Sequence, residues 1–146
     1  MIGLLQRVRH ASVVVENKTV AAIDVGLLVL VGVQKEDGPA QAARLLDRLL
    51  SYRVFADDQG RMNRSLQDVG GGLLLVPQFT LAADTQSGTR PGFSAAAEPA
   101  RARELFEALV TLARQRHPIT GSGVFGADMQ VSLTNDGPVT FWLESR

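Results

Sequence analysis

The sequence predicts an α/β fold: a single domain over residues 1–146 in which about eight strands form mixed, partly barrel-like sheets, with two main helices on one side. Three observations carry this expectation. The first third of the chain is dense in Val, Ile and Leu, with turn residues between the runs. Two later stretches repeat apolar residues at helical spacing, each behind a proline that suits a first helical turn. At 146 residues and 45% hydrophobic, the chain is long enough to bury one core and short for two.

Taken in order, Gly3 to Val8, Ala11 to Val15 and Thr19 to Val31 read as strands, with Glu16-Asn17-Lys18 as a turn and Gly26 able to divide the last run. From Gly26 to Val33 both alternating faces are apolar, which predicts a central strand buried on both sides. Asp37-Gly38-Pro39 supplies a helix start, with Asp37 or a neighbour as cap, and Ala42, Leu45, Leu46, Leu49 and Leu50 then form one apolar face. Tyr52 to Ala56 is a further strand, followed by the turn Asp57-Asp58-Gln59-Gly60. Gly70-Gly71-Gly72 is a turn before the short strand Leu73 to Val76, which runs into Pro77-Gln78-Phe79-Thr80-Leu81. Ala82 to Ala97 is loop-like. Pro99 opens the second helix, whose inward face is Ala102, Leu105, Phe106, Leu109 and Leu112 or Ala113, closing near His117-Pro118. Two last strands, roughly Ala127 to Thr134 and Val139 to Glu144, read as a hairpin around Gly137-Pro138. A proline there lacks an N–H and fixes φ, so the pair marks a positioned backbone.

Composition removes several function classes. The chain has no cysteine, which excludes disulfides, thiolate catalysis and cysteine-based zinc sites, and fits a cytoplasmic location. No run approaches the ~18 apolar residues of a membrane span, and no basic-then-apolar leader opens the sequence. Fifteen basic residues balance fifteen acidic ones, so any RNA contact must be local, and no DNA partner is expected. Side-chain chemistry is sparse. His10 and His117 lack a ligand partner at i+4 or a triad setting. Asp128 and Asp136 fit a strand and a turn better than a carboxylate pair, and Gly70-Gly71-Gly72 lacks the lysine of a phosphate-binding loop. Thr80, a strand-end hydroxyl beside Gln78, is the best nucleophile candidate, with no base in view to activate it. Neither a metal nor a cofactor is expected.

Gln78-Phe79-Thr80-Leu81, the run from Phe125 to Leu133 and Asn135-Asp136-Gly137-Pro138-Val139-Thr140 together resemble the D-aminoacyl-tRNA deacylases. Gln6-Arg7-Val8, Met62-Asn63, Ser65-Leu66, Val69-Gly70-Gly71, Arg90-Pro91 and Phe93-Ser94 are similar as well, so the resemblance covers essentially the whole chain. It implies a cytosolic homodimer that hydrolyses the ester between a D-amino acid and the 3′ terminal adenosine of tRNA, with glycine mischarged on tRNA for alanine as a further substrate. The implied site has Gln78, Phe79 and Thr80 acting mainly through backbone donors. Gly137 and Pro138, as a Gly-cisPro motif inserted into the partner subunit's pocket, select chirality, and Met129 and Arg7 contribute to binding.

A rigid backbone wall discriminates by clash, which suits a chirality filter. With no strong side-chain catalyst in the sequence, the simplest mechanism has the ribose 2′-hydroxyl assist water while backbone N–H groups near Phe79 and Thr80 stabilise the oxyanion. One departure stands out: these deacylases usually carry Ser before Gln-Phe-Thr, and Pro77 takes its place here. The animal-type relatives have Pro-Gln at this point, a trans Gly-Pro and relaxed chirality, and remove L-threonine from mischarged tRNA. That type, and a non-catalytic RNA-binding module of the same fold, are the alternatives.

Overall fold

The apolar runs of the first third fold into three strands. In the computed structural model, which describes residues 1–146, the segments expected as separate strands on either side of Arg9-His10 are one strand, β1 (Ile2–Val15). Arg9 and His10 interrupt the hydrophobic pattern because they face solvent, while Val8 and Ala11 on either side are buried. The chain then reverses at Glu16 and Asn17, whose φ of 49° and 63° match a tight hairpin turn, and returns as β2 (Lys18–Ile23). After Asp24-Val25, β3 begins at Gly26 and runs to Gly32. β3 lies between antiparallel β1 and parallel β6 (Gly72–Pro77), the central and doubly buried place its composition predicts.

Helix α1 (Pro39–Ser51) buries Ala42, Leu45, Leu46, Leu49 and Leu50, the expected face, each leucine contributing about 1.5–3 kcal/mol. Its start differs from expectation. Gly38 is the N-cap, and the Gln41 side chain accepts from its N–H at 2.9 Å. Asp37 is instead buried against the Met1 ammonium at 2.6 Å and accepts from the Gln34 N–H at 2.7 Å, because an unpaired buried charge would be costly. Helix α3 (Pro99–Arg116) packs beside α1, turning Ala102, Leu105, Phe106, Leu109, Val110 and Ala113 inward, with Leu112 half-buried at the edge. Both helices share one cluster with Leu27, Val29, Val31, Leu73 and Leu75, while Leu28, Leu74 and Val76 point into a second, smaller cluster with Val8, Val13 and Ile23. Strand alternation thus assigns one sheet face to the helices and the other to the hollow of a curled, nearly closed sheet.

Several elements depart from the sequence pattern. The strand expected at Tyr52 shrinks to β4 (Phe55–Ala56), which pairs with β5 (Met62–Arg64). A one-turn helix α2 (Leu66–Val69) follows, closed by Ser65 and Asp68 bonding each other's N–H groups. Past Pro77 the chain turns at once into a 3₁₀ segment, Phe79–Ala82. β7 (Thr120–Ser122), three polar or small residues, pairs with β6 in parallel. The largest correction is at the C-terminus, where the expected hairpin is a single strand, β8 (Gln130–Glu144). Its halves cannot pair with each other because both lie antiparallel along β1, from Gln130↔Val14 to Glu144↔Ile2. No helix is long and apolar enough to cross a membrane.

Of the chain's glycines, Gly26 at the start of β3 leaves the least room for a side chain: a Cβ there would sit 1.9 Å from the Gly72 carbonyl oxygen. Gly26→Ala is therefore expected to cost about 3 kcal/mol, the upper end of the overpacking range, read as a lowered midpoint in urea unfolding.

Candidate functional site

The parallel strands β3 and β6 pair as far as Val31 and Pro77, and the chain beyond Pro77 opens a pocket. Pro77 fits there for a plain reason: β7 pairs with β6 only from Leu73 to Leu75, so the missing N–H breaks no ladder bond to that neighbour. The Gln78 N–H is taken by Val31 O at 2.8 Å, which fixes the turn. In the 3₁₀ segment the first internal bond is donated by Leu81 to Gln78 O, so the N–H groups of Phe79 and Thr80 precede those the turn itself uses. The Gln78 side chain donates to the Thr80 hydroxyl.

The pocket has a volume of about 420 Å³ and is walled by Val76 to Phe79, by Ala97, Pro99 and Ala102 around the start of α3, and by Phe125, Gly126, Ala127, Met129 and Val131. None of its lining side chains is ionisable; Gln78 is the only strongly polar one. Met129 is held by its sulfur, which accepts from the Val124 N–H at 3.4 Å. Phe125 is wedged between the Phe106 ring, 6.4 Å away, and the Arg103 guanidinium, 5.2 Å from its centroid. At the opposite rim Phe79, 60% exposed, packs against Phe93 with ring centroids 5.3 Å apart and planes tilted by 41°.

Gly137 and Pro138 belong to a different part of the molecule. Between the pairs Gln6↔Thr140 and Val8↔Asn135, β1 has the one residue Arg7 and β8 has four, so Asp136 to Val139 bulge outward. Arg7 holds the bulge: its Nε donates to Asp136 O at 2.9 Å and its Nη1 to Val54 O at 2.6 Å. Asn135 closes it by accepting from the Val139 N–H at 2.7 Å. The Gly137–Pro138 peptide bond is cis, and Gly137 has φ +138°, a region that disfavours any Cβ. A Cβ there would also meet Val139 Cγ2 at 2.8 Å and Arg7 Nη2 at 3.1 Å. Both motif residues are exposed. Seven residues, Gln130 to Asp136, lie between Gly137 and Met129 of the pocket, a span of up to about 27 Å along the strand direction.

Of the residues singled out in the sequence, the fold thus brings together Gln78, Phe79, Thr80 and Met129, and separately Arg7, Gly137 and Pro138. His10 is exposed, its Nε2 3.1 Å from the Thr134 hydroxyl, and His117 is buried at the end of α3, donating from Nε2 to Gly71 O at 2.6 Å. Asp136 faces Arg7 and Arg9, and Asp128 lies on the exposed turn before β8. The fold gathers no group of three or more His, Asp or Glu side chains placed so that they could hold a metal ion. Two carboxyls are held below the ordinary range, both away from the pocket: Asp57 chiefly by the Arg61 N–H, and Asp68 chiefly by the Ser65 N–H. Their stabilising contribution is complete at neutral pH and is lost as pH falls through the lowered pKa. Ala97, Pro99, Ala102 and Val54 have no chemical signature in sequence; only Pro99, as a helix start, marked a boundary near the pocket.

Residues 4–144 match the family model described as D-Tyr-tRNA(Tyr) deacylase. A D-aminoacyl-tRNA deacylase of Stutzerimonas stutzeri (strain A1501) is 64% identical over 99% of this chain and 100% of its own length. One of Herminiimonas arsenicoxydans is 64% identical over 99% and 97%. Among solved structures, one called c-Myc DNA Unwinding Element Binding Protein superposes with a TM-score of 0.94 at 36% identity, covering 100% of this chain and 99% of that one. Another, described as "a probable eukaryotic D-amino acid tRNA deacylase", has a TM-score of 0.79 at 18% identity over 98% of both chains, a likeness of fold.

If Arg7 anchors the bulge, Arg7→Met should leave β1 paired and loosen Asp136 to Val139. Losing bonds from a charged donor, worth about 1.5–3 kcal/mol, should speed exchange of the Val139 amide by at least about ten-fold in native-state hydrogen exchange.

Proposed function

The chain belongs to the D-Tyr-tRNA(Tyr) deacylase family, and we propose that it hydrolyses the ester of D-aminoacyl-tRNA in the pocket at the end of β6, with backbone groups and the substrate's own ribose doing the chemistry. One observation carries the mechanism: the pocket wall contains no ionisable side chain, so no acid, base or charged nucleophile lines it. The N–H groups of Phe79 and Thr80 stand at the start of the 3₁₀ turn, where the oxyanion of a tetrahedral intermediate would gather about 3–4 kcal/mol per donor. The ribose 2′-hydroxyl beside the ester assists the attacking water. Gln78 orients the Thr80 hydroxyl, which plays at most a supporting part.

Chirality selection falls to Gly137 and Pro138, acting in the pocket of a second copy. An exposed bulge that its own pocket lies far from along β8 supports this arrangement, and a two-fold homodimer makes the exchange reciprocal. Fixed carbonyls there hold the substrate amino group and leave an L side chain nowhere to go, while glycine, having none, passes. Met129 lines the pocket and Arg7 fixes the bulge. The 1–146 segment acts as one such domain, in the cytoplasm, with tRNA as its nucleic-acid partner and without DNA. The likeness to a DNA unwinding element binding protein keeps a binding module as the second reading.

Hydrolysis of D-tyrosyl-tRNA and L-tyrosyl-tRNA at equal enzyme concentration tests this directly. Release of D-tyrosine should exceed that of L-tyrosine by at least about 10³-fold, the equivalent of about 4 kcal/mol in the transition state. Release of L-threonine from noncognate tRNA would favour the animal type, and binding without turnover the module. Thr80→Ala should retain single-turnover hydrolysis within about ten-fold; abolition with fold and tRNA affinity intact would make the hydroxyl a catalyst. Gly137→Ala should lose D-specific hydrolysis while keeping the fold, since its Cβ collides within the bulge.

A further inference from the structure

Phe125 lines two cavities, the pocket and a second one beside it. The same ring forms one end of a groove of about 420 Å³ that runs between α3 and the segment from Ser122 to Val124, with Val20 of β2 beneath it. Resting on the reading of the pocket given above, we propose that this groove takes the single-stranded 3′ end of tRNA on the 5′ side of the terminal adenosine, with Arg103 and Arg114 neutralising its phosphates.

The arginines carry the argument. Arg101 is paired with Glu104 at 2.9 Å and Arg116 with Asp47 at 2.6 Å, whereas Arg103 and Arg114 make no ion pair, although Glu107 stands one turn from Arg103. Arg103 is instead held over Phe125, with its Nη2 3.5 Å from where a Cβ on Gly126 would lie, at the mouth of the pocket. A guanidinium stacked on an aromatic and free of carboxylate keeps its fork available for phosphate. Arg114 is eleven residues further on, about three turns, and so lies on the same helix face about 16 Å away. A stacked strand at 3.4 Å per nucleotide would need about five nucleotides to cover that distance, so the short single-stranded 3′ end spans it unstacked and extended, with its bases splayed. Between the two cations the exposed side chains of Val20 and Val124 offer an apolar floor for base faces. Glu107, the one carboxylate of the groove, suits a base amino group as acceptor.

Arg103→Gln, Arg114→Gln and the double variant test the groove, with Arg44→Gln on α1 as a control cation outside it. The slope of log kcat/KM against log salt for D-tyrosyl-tRNA should flatten by about 0.7 for each arginine removed and stay unchanged in the control. D-tyrosyl-adenosine, which lacks the phosphates, separates the two binding terms: the preference for tRNA over it should fall at least about ten-fold in the double variant, with the loss in KM. Unaltered slopes and preference in variants that still hydrolyse D-tyrosyl-tRNA would overturn the groove and leave the activity standing. A change of oligomeric state in the variants without a change of slope would also overturn it, in favour of a contact between copies. Failure of the wild type to release D-tyrosine would instead count against the hydrolytic reading. In that case, fluorescence anisotropy with an uncharged RNA hairpin bearing a single-stranded 3′ end still reads the groove, weaker binding by the double variant supporting it and equal binding overturning it.

Discussion

Everything in this fold hangs on β1. One edge of the strand pairs with β3 and then β2, and the other edge pairs with β8 along nearly its full length. A strand engaged on both edges leaves no freedom to slip, because a one-residue shift would turn the buried Leu5, Val8 and Val13 outward. β8 nevertheless carries more residues than β1 can face, and the surplus is expelled at one place, opposite Arg7. The protein thus acquires a projecting backbone loop as a consequence of sheet register, and a single arginine bonded to Asp136 O and Val54 O ties it to the sheet.

The pocket arises from the same sheet at its other functional end. β3 and β6 are parallel and pair as far as Val31 and Pro77, and the chain leaving β6 must turn away under the start of α3. The walls are mostly aliphatic and aromatic residues, with Gln78 the one strongly polar side chain among them. Such a site is well suited to a substrate that carries its own hydroxyl next to the scissile bond. Preorganised N–H groups cost no reorganisation during the reaction, and an apolar wall strengthens their effect by excluding water. Family membership and the enzyme's ester-hydrolysing activity agree with this economy of side-chain chemistry.

Much of the architecture was legible because it is local. The inward faces of α1 and α3 follow helical periodicity, and their starts follow Pro39 and Pro99. Where the sequence pattern failed, distant partners had decided. Arg9 and His10 looked like a break between strands, yet pairing with Thr134 and its neighbours on β8 carries β1 straight through them. β7 has no strand composition and exists because β6 offers an open edge. Asp37 is a plausible cap on local grounds, but the buried Met1 ammonium is the stronger electrostatic partner.

The sequence by itself determined the α/β class, the two amphipathic helices, the central β3, the scarcity of side-chain catalysts and, through Gln78-Phe79-Thr80 and Gly137-Pro138, the family. Each of these depends on residue type and short-range periodicity, which a chain displays without being folded. Only the tertiary structure decided that the C-terminal strands are one, that Gly137 stands apart from Met129, that Pro77 sits beyond the reach of β7, and that Arg103 lies free on Phe125 at the pocket mouth. Those facts depend on register and on which side chains meet across the fold, and no local pattern encodes the partner of a strand edge or of a charge.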